Sequence, residues 1–240
     1  MVCVGSAILI GMKHLRTYVW KGAALVALIL GASAANAADP QVEALLAKMR
    51  NAYRAAKSAT YTTHSQVRGQ AIDVAFVFKS PWEIRADVTI KGLTGKPIKA
   101  MEITTGKTTH MDLGGKPAGP DKPFKVDDFV NPLGVNLESI CFFDWDRQLS
   151  TGPGKNMAQS TFKIMPNQDW NGKKWTVLEE TAKTQKVVCK YFIDPKTSLI
   201  WRTTVKAMPG GPKNAEMDCQ ISKMSLNPKV DDSTFKIEHV

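Results

Sequence analysis

The triplet Gly106-Lys107-Thr108 is the first feature that could do chemistry, because phosphate-binding loops end in such a sequence. A loop of that kind needs a glycine five positions before the Gly-Lys pair, where this chain has Met101. The residues that follow, THMDL, alternate as in a strand and do not begin a helix that could meet an anion. We therefore predict a β-hairpin turn in which Gly106 supplies a positive φ. Met101 before the turn shares a face with Met111 after it if the loop has an odd number of residues.

The histidine and acidic residues form no recognisable metal or acid–base site. His64, His110 and His239 are far apart and lack the spacing of zinc ligands, so we predict no metal. His64 and His110 alternate with threonines, which is typical of exposed strand faces. Glu179 and Glu180 are neighbours in a predicted strand, where adjacent side chains point to opposite faces and are ordinarily exposed charges. We expect no catalytic residue, no cofactor and no enzymatic activity.

Three cysteines follow residue 37, namely Cys141, Cys189 and Cys219. An exported protein can hold a disulfide, and an odd number leaves one thiol over. No CxxC spacing occurs, which argues against a zinc knuckle or a thioredoxin-type redox pair. The sequence leaves open which two cysteines pair, if any do.

The first 37 residues are predicted to be a secretory signal peptide. The basic stretch MKHLRTYVWK precedes the apolar run GAALVALILGASA, and Ala35-Asn36-Ala37 has the small-x-small pattern of a cleavage site. The apolar run is short for a membrane span. Cleavage after Ala37 would leave a single periplasmic domain, residues 38–240; an uncleaved N-terminal anchor is the alternative.

The net charge of the chain is positive both with and without the predicted signal peptide. Residues 1–37 contain three Lys or Arg and no Asp or Glu, so their removal lowers the net charge from +10 to +7. This balance suits an anionic membrane surface or an acidic partner. The lysines are scattered, however, which favours plain solubility and argues against nucleic-acid binding. We expect a monomer.

An amphipathic helix is predicted directly after the signal peptide, in DPQVEALLAKMRNAYRAAKS. Asp39 is a suitable N-cap, and Pro40 fits the first turn. Apolar side chains recur at helical spacing and form one stripe, which must pack against another surface. The stripe consists of Val42, Leu45, Leu46, Met49 and Tyr53.

Alternation with period two then predicts antiparallel strands in IDVAFVFK, WEIRADVTI, PIKAMEITT and TTHMDL. Asn171-Gly172 is a strong hairpin signal between STFKIMP and KKWTVLEE. KVVCKYFID and SLIWRTTVKA form the next pair, and if Ile193 faces Leu199, then Tyr191 meets Trp201. AEMDCQISKMSL is a further strand.

A long connection and a second helix are predicted between these two groups of strands. Residues 114–136 are rich in Gly, Pro and Asp, and a loop of this length is usually functional or mobile, so it could act as a lid. Residues 137–149, LESICFFDWDRQL, carry apolar side chains at helical intervals. The predicted class is therefore α+β, an antiparallel meander interrupted by two helices.

One face of the predicted sheet is strongly apolar. An incompletely closed sheet must cover such a face with helices, with a ligand or with both. The pattern leaves both explanations open, a ligand-binding cavity or an ordinary core filled by the two helices. The candidate cavity residues are Val74, Phe76, Phe78, Ile84, Met101, Met111, Tyr191 and Trp201.

The order of several short motifs resembles the periplasmic lipoprotein-carrier family (LolA-like) over most of the chain after residue 37. The similar stretches are VEALLAKMRNAY, VFKSPWEIRAD, ITTGKTTHMDL, YFIDPKTSLIWRTTV and DCQISKMSLNPKVDDSTFKI. The resemblance implies a curved antiparallel sheet, an incomplete barrel, with two or more helices across its concave face. One departure is Lys79-Ser80-Pro81, where the family has Lys-Arg-Pro, and it removes the arginine associated with the handover of the ligand.

The resemblance also implies a function. Members of the family bind the acyl chains of lipoproteins in the concave cavity and carry them between membrane-associated donor and acceptor proteins. Ile84 falls at an aromatic cavity position of the family, with Phe76 and Phe78 on the adjoining strand. Our leading hypothesis is therefore a carrier of lipid-modified proteins or of another hydrophobic acyl ligand. The alternative is an envelope sensing or partner-binding module whose cavity is filled by its own helices.

Overall fold

The computed structural model describes residues 39–67, 70–80, 82–91, 95–124, 160–183, 186–212 and 215–237. The predicted signal peptide and the predicted helix at 137–149 lie outside these residues, as does the part of the long connection from 125 to 136. The elements are α1 (Pro40–Arg54), β1 (Ser58–Val67), β2 (Gln70–Lys79), β3 (Glu83–Lys91), β4 (Ile98–Thr105), β5 (Thr108–Leu113), β6 (Lys122–Pro123), β7 (Ser160–Trp170), β8 (Lys173–Ala182), β9 (Val187–Ile193), β10 (Ile200–Ala207), β11 (Met217–Leu226) and a 3-10 helix (Asp232–Phe235).

Helix α1 begins and packs as the sequence predicts. The Asp39 carboxylate accepts a hydrogen bond from the Gln41 N–H at 2.9 Å, and Pro40 is the first helical residue. A cap of this kind is worth about 1 kcal/mol. Four residues of the predicted stripe are buried, and the fifth, Leu45, is half-buried against the same core. The buried four are Val42, Leu46, Met49 and Tyr53.

The eleven strands form one antiparallel sheet in the order β6-β5-β4-β3-β2-β1-β11-β10-β9-β8-β7. Each half is a meander, and the pairing of β1 with β11 joins the halves at the centre. Strands β6 and β7 form the two edges, so the sheet is open and not closed into a barrel. The predicted antiparallel sheet is confirmed. The described residues contain a single α-helix, so the prediction of two or more helices is not confirmed.

The sheet has two faces, which the strand register distinguishes because directly paired residues share a face. We call the face that contains Phe76 and Tyr191 the inner face, and the opposite one the outer face. Helix α1 packs on the inner face over β8, β9 and β10. Its four buried side chains share a cluster, the α1 cluster, with Leu178, Ala182, Val187, Cys189, Tyr191, Ile193, Leu199, Ile200 and Val205.

Strands β10 and β11 separate at one end, and Tyr53 contacts the backbone there. The two strands pair only from Arg202 opposite Gln220 to Val205 opposite Met217. The N–H of Ile200, beyond this paired stretch, donates to the Tyr53 hydroxyl at 3.0 Å. A buried N–H group must find a partner, so this bond replaces the missing ladder bond and holds the end of α1 to the sheet.

Candidate functional site

A second inner-face cluster lies on the other half of the sheet, and we call it the β2–β3 cluster. It contains no residue of α1, so within the described residues strand residues alone build its buried part. Its buried members are Ala59, Tyr61, Ile72, Val74, Phe76, Phe78, Ile84, Ala86, Val88, Ala100 and Ile221. The half-buried Trp82 and Phe124 pack against it at the end where β2 turns into β3.

The register arranges this cluster in rows that cross five strands, because adjacent strands pair without a bulge from β1 to β5. Cross-strand neighbours on one face lie about 5 Å apart, so each row is a continuous surface. From β1 to β5 the three central rows are Ala59–Phe78–Ile84–Thr104–Thr109, Tyr61–Phe76–Ala86–Glu102–Met111 and Thr63–Val74–Val88–Ala100–Leu113.

Four of the eight predicted cavity residues come together in this cluster. Val74, Phe76 and Phe78 alternate along β2, and Ile84 lies directly opposite Phe78 on β3. Their exposed fractions are only 1–2%. The Phe76 ring stacks on Tyr61, with 4.7 Å between ring centroids and 22° between ring planes. The strand pattern therefore identified the centre of the cluster correctly.

Met101 and Met111 do not share a face, which corrects the sequence prediction. Met111 lies opposite Glu102 on the inner face, whereas Met101 lies opposite Asp112 on the outer face. The reason is the length of the turn. Gly106 and Lys107 alone separate β4 from β5, and the prediction of a shared face required an odd number of loop residues.

The hairpin turn itself is confirmed, since Gly106 has a φ of 79°. The close approach of Trp82 also favours glycine there, because a Cβ at Gly106 would lie 3.0 Å from the Trp82 Cβ. The Gly-Lys-Thr triplet thus forms the β4–β5 turn, next to one end of the β2–β3 cluster.

Tyr191 lies apart from the other predicted residues, and it does not face Trp201. Tyr191 lies opposite Thr203 within the α1 cluster. A β-bulge between Ile200 and Arg202 leaves Trp201 outside the ladder. The predicted register assumed a regular hairpin, whereas Ile193 pairs with Ile200 instead of Leu199, and the pairs beyond the bulge are displaced by two residues. Trp201 is half-buried and packs against the α1 cluster, the β2–β3 cluster and a third cluster on the outer face.

The inner face also carries polar groups that the sequence analysis missed. Glu102 and Thr104 are exposed by 1% and 0%, and Glu102 lies between Ala86 and Met111 in its row. Within the described part of the chain, the buried hydroxyl oxygen of Thr109 has no hydrogen-bond partner. The sequence held no signal for this placement. Both faces of β4 contain apolar residues. The face with Met101 and Ile103 is the more hydrophobic of the two, so the sequence favoured that face as the inner one.

Glu180 is a second buried carboxylate, on the part of the inner face that α1 covers. The Tyr191 hydroxyl donates to Glu180 Oε2 at 2.8 Å, and Glu180 is 0% exposed. The sequence prediction that Glu179 and Glu180 point to opposite faces is confirmed by their pairing with Lys190 and Cys189. The expectation that both are exposed charges is wrong for Glu180, because it lies on the inner face, where its carboxylate pairs with Tyr191 of the neighbouring strand β9.

His110 was also expected on an exposed face, and it is buried, with an exposed fraction of 3%. Its Nδ1 lies 2.7 Å from Asp121 Oδ1, and its Nε2 lies 3.1 Å from Asp112 Oδ1. Burial alone would lower the pKa of His110, but hydrogen bonds to Asp121 and Asp112 outweigh it and raise the pKa above its usual value. His110 lies on the outer face, away from the β2–β3 cluster, because it pairs with Ile103.

The third cluster occupies the outer face of β8 and β9. Trp175, Val177 and Phe192 are buried there, with Met165 and Trp170 packed against them. The Trp175 Nε1–H donates to the Trp170 carbonyl at 2.9 Å. The Arg202 guanidinium lies 5.4 Å from the centroid of the Trp170 ring, within cation–π distance. We call this group the outer cluster.

The described residues show two further features that bear on function. They contain no group of three or more His, Cys, Asp or Glu side chains placed to hold a metal ion. No helix among them has the length and hydrophobicity needed to span a membrane. Of the described cysteines, Cys189 and Cys219 are buried, and Cys141 lies outside the described residues.

These features define the class of protein as an open antiparallel sheet with an apolar inner face, half of which a helix covers. No protein-family model matches the chain, and no curated protein matches it. Among solved structures, an uncharacterized conserved protein from Thermus thermophilus has a TM-score of 0.51 at 7% identity, over 83% of this chain and 94% of that one. This likeness concerns the fold.

Two other solved structures are also similar to this chain. One is an outer membrane lipoprotein-sorting protein domain from Vibrio parahaemolyticus, with a TM-score of 0.33 at 11% identity over 79% of this chain and 94% of that one. The other is MucB in the Pseudomonas aeruginosa MucA/MucB complex, with a TM-score of 0.45 at 14% identity over 81% of this chain. This chain spans 59–64% of the length of the MucB chains that it matches. The matched structures therefore include the lipoprotein-sorting type that the sequence motifs resemble.

Proposed function

We propose that this protein is a non-enzymatic carrier that binds the acyl chains of lipid-modified proteins, or another hydrophobic acyl ligand, on the β2–β3 cluster. One observation carries the proposal. The inner face has two apolar halves, and among the described residues α1 packs on only one of them. An apolar half-sheet that no described helix covers can accept another apolar partner, and an acyl chain is such a partner.

The chemistry of the cluster suits a chain of methylene groups. Phe76, Phe78 and Ile84 offer adjacent aromatic and aliphatic surfaces in two neighbouring rows. Ala86 lies between Phe76 and Glu102 in its row, and its small side chain leaves space for a groove that runs along the strands. Burial of each methylene contributes about 0.8 kcal/mol, so one chain of ordinary length binds usefully without any specific hydrogen bond.

The proposal also includes the compartment in which the protein acts and the proteins between which it carries its ligand. A signal peptide cleaved after Ala37 would place the protein in the periplasm, where it would act as a monomer between membrane-associated donor and acceptor proteins. The resemblance to the lipoprotein carriers, in the order of the motifs, supports this setting. Ser80 occupies the family's arginine position, so we expect a handover that does not depend on an arginine in that turn.

Lipid extraction tests the proposal most directly. Residues 38–240 would be expressed with export and purified, and then extracted with organic solvent for mass spectrometry. Co-purified acyl species in near-stoichiometric amount support the carrier and identify its ligand class. An empty protein that also takes up no added fluorescent acyl probe would refute it and indicate a filled core.

Charge substitutions then locate the site. Phe76→Glu and Ile84→Glu each place a carboxylate in the β2–β3 cluster and should abolish binding of the acyl probe. Ala75→Glu is the matched control, because Ala75 is exposed on the outer face next to Phe76. Circular dichroism would verify that the sheet is retained. Undiminished binding in both inner-face variants would contradict the assignment.

The outer cluster favours a second candidate, a partner-binding module. Trp and Arg are enriched at the energetic centres of protein interfaces, and Trp170 with Arg202 forms such a pair on a half-buried surface. Trp170→Ala should weaken the capture of an envelope protein partner without affecting acyl binding. If Trp170→Ala instead leaves capture intact, the outer cluster serves only to stabilise β7 and β8.

A further inference from the structure

We infer that Trp201 donates a hydrogen bond to the carbonyl group of the ligand, so that the protein selects acyl esters and amides over alkyl chains that lack a carbonyl. Trp201 packs against both inner-face clusters, and its buried indole nitrogen has no hydrogen-bond partner among the described residues. The inference rests on the proposed binding of acyl ligands to the β2–β3 cluster. It adds to that proposal the chemical class of the linkage that joins the apolar chain to the rest of the ligand.

Trp201 lies at an interruption of the sheet, where β10 no longer pairs with β11. The ladder between these two strands extends only from Arg202 to Val205 of β10, although β11 continues to Leu226 in its pairing with β1. We call the unpaired stretch between Trp201 and residues 221–226 the seam. Because no ladder hydrogen bond joins β10 to β11 there, a ligand group can enter the seam without breaking one.

The seam adjoins the apolar surface of the inner face. Met224 and Leu226 of β11 pack against both the α1 cluster and the β2–β3 cluster, as Trp201 does. Met224 lies opposite Tyr61, which lies opposite Phe76. Two strand spacings, about 10 Å, therefore separate the Phe76 backbone from β11 at the seam. A ligand whose chain lies on β2 and β3 can extend across β1 and β11 and place its carbonyl group at the seam.

The indole nitrogen determines which ligand group is favoured. An indole N–H is an uncharged donor and never an acceptor, so an oxygen acceptor such as a carbonyl satisfies it. A buried donor without a partner is unfavourable, and a ligand carbonyl that pairs with it removes that penalty. An alkyl chain without a carbonyl buries the same apolar surface and leaves the donor unpaired.

A neighbouring indole shows the ordinary arrangement. The rings of Trp175 and Trp201 lie 6.3 Å apart between centroids. The Trp175 N–H already donates to the Trp170 carbonyl at 2.9 Å. Of these two adjacent indoles, only that of Trp201 lacks an acceptor within the described part of the chain. The pair therefore supplies both a test position and a control position for the same substitution.

Two glycerol lipids isolate the contribution of the carbonyl group. 1-Monododecanoyl glycerol and 1-O-dodecyl glycerol have the same head group and the same chain length, and only the first has a carbonyl. Each would displace a neutral fluorescent probe, N-phenyl-1-naphthylamine, from residues 38–240. The wild type should bind the ester at least about fivefold more tightly than the ether, which corresponds to about 1 kcal/mol, the magnitude of one hydrogen bond.

Trp201→Phe retains an aromatic ring at the seam and removes the N–H, so the ratio of the two affinities should fall to about one. Trp175→Phe is the matched control and should leave the ratio unchanged, because its N–H already has an acceptor. The Trp201 indole N–H resonance of the wild type, assigned by its loss in Trp201→Phe, gives a direct readout. It should move downfield when the ester binds and not when the ether binds.

The outcomes separate this inference from the proposed function. Equal affinity of the wild type for the ester and the ether would overturn the hydrogen bond from Trp201 while leaving acyl binding in place. An indole resonance that the bound ester leaves unmoved, or an undiminished ratio in Trp201→Phe, would also overturn it. If neither lipid displaces the probe from the wild type, the proposed acyl site and its carbonyl partner fail together.

Discussion

The hydrogen bond between Tyr53 and Ile200 predicts a measurable loss of stability in Tyr53→Phe. The Tyr53 hydroxyl accepts from the Ile200 N–H at 3.0 Å at the point where β10 no longer pairs with β11. Both residues are buried, with exposed fractions of 1% and 2%. The substitution retains the aromatic ring in the α1 cluster and removes only the oxygen, so the packing of the helix is preserved.

The magnitude follows from the group that is left behind. Without the hydroxyl, the Ile200 N–H has lost its partner in a site that water does not reach. A buried donor left unsatisfied costs about 1–3 kcal/mol. For a domain of roughly 200 residues, each kcal/mol lowers Tm by about 2–4 °C, so the expected fall is about 2–12 °C.

Urea unfolding followed by tryptophan fluorescence measures this effect. The midpoint should fall while the m-value stays constant, because the surface exposed on unfolding is the same. Ser222→Ala is the control, since it removes an exposed hydroxyl that pairs with Thr62 and should change stability by less than about 0.5 kcal/mol. A Tyr53→Phe protein as stable as the wild type would refute the role of this bond in holding α1 to the sheet.

Two further predictions concern the β4–β5 turn and the buried histidine. Gly106→Ala and Gly95→Ala both place alanine at a positive φ, 79° and 73°, and should each cost about 1–2 kcal/mol. Only Gly106→Ala also meets Trp82, at 3.0 Å, so its thermal midpoint should fall further; equal losses would contradict the contact. His110 should stabilise the fold fully below its unfolded pKa of about 6.5, and this contribution should be lost as pH rises through its raised folded pKa. Urea unfolding of the wild type and His110→Gln from pH 5.5 to 9 should therefore show a shrinking difference, and a constant one would count against a charged His110.

The local elements were predictable because local residues determine them. Asp39, Pro40 and the apolar stripe predict α1, and the structure places the N-cap and the buried face accordingly. Asn171-Gly172 predicts a two-residue hairpin, and both residues have positive φ values, 51° and 70°. In each case the decisive interactions lie within a few residues of one another along the chain.

Which face each side chain occupies was only partly predictable. On β2 and β3 one face is clearly more apolar, so Phe76 and Ile84 were assigned correctly. On β4 both faces contain apolar residues, and the assignment depended on the number of residues in the turn at Gly106. A shift of one residue in register moves every side chain to the opposite face, which is why Met101 was misplaced.

The sequence by itself determined one amphipathic helix, a set of alternating strands and an apolar face centred on Phe76, Phe78 and Ile84. Only the tertiary structure decided that β1 pairs with β11, that α1 covers one half of the inner face, and that Glu102, Glu180 and His110 are buried. The physical reason is the distance along the chain between the groups that interact. Propensity, capping and alternation act over a few residues. Strand order depends on segments that folding brings together from far apart, such as β1 and β11, and the burial of a polar side chain depends on which face its strand presents to the neighbouring elements.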